Sequence, residues 1–263
     1  MAGASILRAA LRHERWLVAG GLLLVVALAW AYLWSGAGMM QQMGDMAMPM
    51  SGPWTPGQAL LMWVMWVVMM AAMMLPGAAP MVLLYDGIAR TRRARGEAAG
   101  GAGPFAAGYL AVWAGFSALA VALQFALEQA ALLSPMMETT SIGLAGAVFV
   151  AAGIYQWTPL KQRCLRHCRS PLEFVLAHWR EGRRGAFLMG ARHGRDCLGC
   201  CAMLMLLLFV GGVMNLGWIA ALALFVLVEK LAPAGHWIGR VAGLLLLAWG
   251  LATLAAAFLP AAS

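Results

Sequence analysis

Residues 61–81 read LMWVMWVVMMAAMMLPGAAPM, a run with no ionisable side chain at any position. A helix needs about 20 apolar residues to cross the hydrocarbon core of a bilayer, and this run, extended to 58–85, reaches that length. A spanning β-strand is shorter and alternates apolar with polar residues; nothing here alternates. The rest of the chain agrees. Its 263 residues are 63% hydrophobic and only 11% charged, too few polar side chains to cover a soluble domain of this size. Further apolar runs at 16–34, 106–133, 140–157, 197–213, 218–231 and 238–259 predict an all-α fold, a polytopic transmembrane helical bundle of about seven spans.

The net charge of +8 reads as topology rather than as a nucleic-acid signal. Threading the spans with a cytoplasmic N-terminus places all 18 Lys and Arg residues inside: Arg8, Arg12 and Arg15, the turn with Arg90, Arg92, Arg93 and Arg95, the segment 161–195, and Lys230 and Arg240. The segments assigned outside (35–57, 134–138, 214–217 and the tail after Leu259) hold none. That split satisfies the positive-inside rule, and anionic membrane lipid suffices as the partner of the basic loops; no nucleic acid is expected. The expected location is a bacterial inner membrane. The run 16–34 is longer than a cleavable signal and ends in Tyr32-Leu-Trp34 rather than in small residues, so it reads as a retained anchor. Two parts follow: 1–57, the anchor and a Met-rich external loop expected to be unstructured without a ligand, and 58–263, a membrane domain. From Lys161 to Arg184 basic and apolar residues alternate, as in an amphipathic helix lying at the inner interface.

Sulfur is unevenly placed. Thirteen of the 20 methionines lie within 39–81, whereas all five cysteines come later. On a helix, positions three, four, seven and eight apart share a face. His193, Cys197, Cys200 and Cys201 have that spacing, as do Cys164, His167 and Cys168. Both stripes fall on the side assigned to the cytoplasm, where free thiols persist, and neighbouring arginines favour thiolate, the ligating form. Small apolar packing would account for one or two such cysteines; two motifs with histidine in register point to a metal site at the cytoplasmic face. If the motifs share one ion, their sulfurs must lie within about 5 Å, given metal–sulfur bonds near 2.3 Å. Cys197 and Cys200 also form a CxxC, which keeps a membrane thiol oxidoreductase as the alternative. In the external loop, Met39, Met40, Met43 and Met46 supply thioethers, soft donors suited to copper(I). Met62, Met65, Met69 and Met73 continue them as a stripe, with Met70, Met74 and Met81 on the adjoining strip. Methionine is also ordinary core filling.

Few polar groups interrupt the apolar runs. Gln124 and Glu128 stand one turn apart, and Glu128 offers a charge near the external methionines. Lys161, Glu229 and Lys230 are expected at membrane edges, with Glu229 and Lys230 snorkelling to the surface. Pro76 and Pro80 either kink their helix to admit an ion or merely shape the bundle. No Walker A sequence, CxxCH or HExxH occurs.

The runs WVVMMAAMMLP (66–76), YQWTPLK (155–161) followed by Cys164 and Cys168, HGRDCLGCC (193–201), Met214-Asn215 and Glu229-Lys230 resemble a bacterial family of predicted metal-binding integral membrane proteins, a domain of unknown function. The resemblance implies metal binding at Cys164, Cys168, His193, Cys197, Cys200 and Cys201. An aromatic residue is usual after the double cysteine in that pattern, and Ala202 stands there in this chain. The combined expectation is a non-enzymatic membrane protein that binds copper(I), with zinc or another soft metal as a second possibility. It would transport the ion or deliver it to a cuproenzyme or copper carrier. A structural or assembly subunit without metal is the remaining alternative.

Overall fold

The computed structural model describes residues 2–36, 40–43, 46–49, 54–134 and 137–258. Ten helices follow in chain order: α1 (Ala2–Trp34), α2 (Pro56–Ala94), α3 (Ala102–Gln129), α4 (Ile142–Tyr155), α5 (Pro159–Arg169), α6 (Pro171–His178), α7 (Gly182–Leu206), α8 (Leu208–Gly211), α9 (Leu216–Leu231) and α10 (Gly235–Phe258). Between α1 and α2, the backbone of β1 (Met40–Met43) pairs antiparallel with β2 (Met46–Pro49). Within the segment 35–57 expected to be unstructured, the described residues 40–43 and 46–49 thus form a backbone pair, which holds Met40, Met43 and Met46. Met39 lies outside the described residues.

Local chemistry sets the helix ends. Thr55 and Gln58 form a reciprocal capping box at the start of α2, with Pro56 at the first helical position. The helix then runs 39 residues, about 58 Å at 1.5 Å per residue, and passes through Pro76 and Pro80 without ending. Thr158 caps α5, and Pro159 opens it. Because Pro159 lacks an N–H and disfavours helical backbone at Thr158, α4 cannot continue, and α5 departs at 64°.

A central group of α2, α3 and α7 carries the core. α1 packs on α2, α4 pairs with α10, and α5 and α9 wedge against α7 and α2 respectively. At the α3–α7 crossing the two backbones come close together. A Cβ on Gly108 would collide with the Phe187 carbonyl, and one on Gly190 with the Phe105 carbonyl. Two glycines thus let the backbones touch, the small-residue packing by which helices associate when no hydrophobic drive separates protein from surroundings.

Among the described residues, five helices are long and apolar enough to cross a membrane, and α4 with α5 makes a sixth if the bent pair is one span. The seven-span expectation differs at two places. The run 218–231 belongs to α9, whose 16 residues reach about 24 Å, short of a core of about 30 Å. The run 140–157 holds α4, whose 14 residues pass for a span only together with the bent α5. The amphipathic helix expected over 161–184 is instead α5 and α6, broken at Ser170-Pro171. Leucines on the outer faces of the bundle, among them Leu23, Leu119 and Leu245, are exposed.

Replacing Gly190 by Ala should lower stability by about 3 kcal/mol through overpacking, whereas Gly103→Ala, with open space around it, should change it by less than about 0.5 kcal/mol. Thermal unfolding of the purified variants reads the difference; equal melting would contradict the close crossing.

Candidate metal centre

The helical period of α7 turns Cys197, Cys200 and Cys201 inward together, and all three are buried. They sit among packed side chains of the bundle. Four other helices bring their partners. From α5, Cys168 places its Sγ 4.0 Å from Cys200 Sγ, inside the separation at which two sulfurs can share an ion. From α2, Met74 places its Sδ 3.8 Å from Cys201 Sγ. From α3, the Tyr109 hydroxyl stands 3.0 Å from Cys197 Sγ and donates to the Met74 carbonyl at 3.2 Å. From α9, the Lys230 ammonium donates to Cys197 Sγ at 2.9 Å. The thiols of Cys200 and Cys201 each donate to the Cys197 carbonyl at 3.0 Å, which points both sulfurs along one side of α7. All five cysteines are free thiols.

Cys164 is half-buried against Gly199, where a Cβ would come within 2.6 Å of its Sγ. Gly199 is therefore the residue that lets α5 approach the CLGCC turn. The Tyr155 hydroxyl donates to the Gly199 carbonyl and ties the end of α4 to the same turn.

Of the two histidines expected beside the cysteines, His193 stays by the cluster with its buried Nδ1 lacking a hydrogen-bond partner among the described residues, and His167 does not. His193 is buried on the same face of α7, but its ring stacks on Tyr109 at 5.6 Å and meets Phe174 edge-on at 5.5 Å. His167 turns outward, with Nδ1 3.3 Å from Asp196 Oδ2. Met65, Met69 and Met73 are buried in the main core. Met62 lies nearer the start of α2, with its Sδ 3.9 Å from Gln124 Nε2. Among the described residues, no three of His, Cys, Asp and Glu gather into a metal-binding group; the sulfur contacts are pairs, and Met74 supplies a donor from outside that set.

The lysines and the glutamate do not snorkel. Lys161, Glu229 and Lys230 are all buried, and Lys161 Nζ bridges both carboxylate oxygens of Glu229 at 2.7 and 2.8 Å. That pair joins α5 to α9 and is neutral as a unit. Lys230 is left as a buried cation whose named partner is a sulfur.

Sequence reasoning passed over Tyr109, left Met74 on the strip beside the methionine stripe and set Lys230 at the membrane edge. A signal for Lys230 existed: a lysine ending the apolar run of α9, at the level where α7 places its cysteines. Nothing comparable marks Tyr109, which becomes a sulfur partner only because the Gly108–Gly190 approach brings α3 against α7.

Fold and site together define a class: a bundle of long apolar helices whose interior holds thiols, a thioether and a buried ammonium. A family model described as PpoB2, copper chaperone, matches residues 63–253, and the chain belongs to this copper chaperone family. The match takes in all the helices that meet at the sulfur cluster. No curated protein matches the chain, and no solved structure does.

Breaking the Lys161–Glu229 pair from one side leaves a buried unpaired charge. Lys161→Met should therefore destabilise the protein by about 3–5 kcal/mol, and the double variant K161M/E229Q should recover much of that loss. Unfolding of the two variants beside wild type measures it; additive losses would show that the residues do not act as a pair.

Proposed function

We propose that the protein is a membrane copper chaperone that holds copper(I) at the buried sulfur cluster and releases it to a cuproenzyme or a copper carrier. The observation that carries this reading is the pair Cys168–Cys200, two thiols from different helices 4.0 Å apart in a part-buried site. Bonds of about 2.3 Å from two sulfurs at that separation meet at an angle of about 120°, which leaves room for a third soft donor from Cys197 or Cys201. Thiolate and thioether ligands select monovalent copper over harder cations. Membership of the copper chaperone family supports the same metal, and the apolar outer faces of the helices support insertion in a bilayer, the bacterial inner membrane on this reading.

Charge balance gives Lys230 its part. Copper(I) held by two thiolates carries a net negative charge, which is costly to bury unless it is paired. The ammonium beside Cys197 offsets it, while Lys161 and Glu229 cancel each other. Zinc, which prefers four ligands and carries a higher charge, fits less well.

No step of bond making in a substrate is needed; the protein acts by binding and exchange. Exchange with a carrier would proceed by sulfur-for-sulfur replacement, so buried but pairwise contacts suit the task better than a closed four-ligand cage.

Titrating copper(I) and zinc against a competing chelator under reducing conditions tests this reading. C168S/C200S should lose the tight copper(I) site, and Lys230→Met should weaken it by about tenfold or more, equivalent to about 1.4 kcal/mol. The neutral-pair variant K161M/E229Q should bind as wild type. Unchanged copper(I) binding in C168S/C200S would overturn the proposal. That result together with a Cys197–Cys200 disulfide in the wild-type protein that cycles with an added oxidant and reductant would favour the thiol oxidoreductase.

A further inference from the structure

The opposite end of the bundle from the arginine-rich turn holds a second cluster of donors. Gln124 of α3 is buried, and its Trp66 partner fixes the amide: Trp66 Nε1 donates to Gln124 Oε1 at 2.9 Å. The amide nitrogen therefore faces the other way, toward Glu128 Oε1 at 2.8 Å, Met137 Sδ at 3.4 Å and Met62 Sδ at 3.9 Å. A carboxylate oxygen and two thioethers, drawn from α3, from the segment before α4 and from α2, thus converge on one electropositive N–H₂ group. Thioether sulfur is a weak hydrogen-bond acceptor, so two of them around one amide is a poor use of a buried donor.

Glu128 strengthens the case. Its second oxygen accepts from Trp54 Nε1 at 2.6 Å. Among the described residues no Lys or Arg pairs with it, and every Lys and Arg of the chain lies in the segments assigned to the other side. A half-buried carboxylate held only by neutral donors lacks a counter-charge. Met137 is held in the left-handed region, with φ of 55°, a conformation that a non-glycine residue adopts at a cost of about 1–2 kcal/mol. Its carbonyl accepts from Val213 N, and its side chain is buried against Gln124.

The geometry points to a second copper(I) site, formed by Glu128, Met62 and Met137, in which the Gln124 amide nitrogen holds the place of the ion. This inference rests on the reading of the protein as a soft-metal carrier. One carboxylate and two thioethers balance the charge of a single monovalent cation, and no lysine is required, in contrast to the thiolate cluster with Lys230. A neutral, weaker site suits first capture, and a thiolate site suits retention. Trp54, which donates to Glu128, follows the methionines of 39–50 in sequence. The backbone strain at Met137 serves to aim the thioether into the cluster.

The full-length protein, purified in detergent, is titrated with copper(I) against a competing chelator, and bound copper per chain is counted. Met62→Leu with Met137→Leu conserves side-chain volume, and Glu128→Gln keeps the side-chain size and one of the two acceptor oxygens while removing the charge. Each should bind one ion fewer than wild type and leave the tight site intact. C168S/C200S should lose the tight ion and keep the weaker one, which the outer substitutions then remove. If M62L/M137L and E128Q both bind copper as wild type does while C168S/C200S loses an ion, the second site is wrong and the inner site stands. If C168S/C200S binds as wild type while the outer variants lose an ion, the second site stands and the inner assignment falls. Thermal unfolding of each variant checks that it is folded, and E128Q carries the test should the double leucine variant fail that check.

Discussion

The arrangement of the interior depends on one contact, the Lys230 ammonium donating to the Cys197 sulfur at 2.9 Å. A charge in the middle of an apolar bundle is tolerated only with a partner, and here the partner is a soft metal-ligand atom. That contact fixes α9 against α7 and passes over α2 at Gly77, where a Cβ would crowd the lysine stem at 3.2 Å. Tyr109 closes the other side of the same sulfur. Cys197 is thereby held by protein groups, while Cys168, Cys200, Cys201 and Met74 meet only other sulfurs or a backbone carbonyl. The division suggests how the cluster works: one sulfur is anchored to the charge that balances the site, and the rest remain free to exchange.

The two ends of the bundle handle charge differently. At the arginine-rich end, anions are matched by cations: Asp86 with Arg90 at 2.9 Å, Glu97 with Arg92 at 2.8 Å, Glu229 with Lys161. At the methionine-rich end, Glu128 has only N–H donors around it. An uncompensated carboxylate at one end and a surplus ammonium inside set a gradient of electrostatic preference, favourable for a bare monovalent cation at the first and for its anionic thiolate complex at the second. On the proposed reading, the ion moves from thioether and carboxylate to thiolate, each exchange going to the softer and more tightly binding set.

Much of the fold was legible from apolar run length: 61–81, 106–129 and 238–257 all fall within long helices. The span count was not, because Thr158-Pro159 bends one apolar stretch and α9 stops after 16 residues, features that a hydropathy window averages away. At the site, helical spacing placed Cys197, Cys200 and Cys201 on one face of α7, as α7 shows, and an ion-sharing distance between Cys168 and Cys200 followed once α5 docked. His167 shared that spacing and yet turned to Asp196, since periodicity reports the face of a helix and not the rotamer on it, whereas His193 stays on the cysteine face against Tyr109. The methionine stripe shows the same limit. Met65, Met69 and Met73 fill the core, and it is Met74, on the adjoining strip, that meets a cysteine. Lys230 could not be placed by pattern alone, because a lysine at the end of an apolar helix snorkels or is buried depending on what stands opposite.

X-ray absorption at the copper edge of protein loaded with one equivalent of copper(I) tests the central claim most directly, because it reads the ligand atoms themselves. A first shell made only of sulfur, at about 2.3 Å, is the result expected for wild type, replaced in C168S/C200S by the mixed oxygen and thioether shell of the weaker site. A shell of nitrogen or oxygen in the wild-type protein, with no sulfur neighbour, would contradict the account.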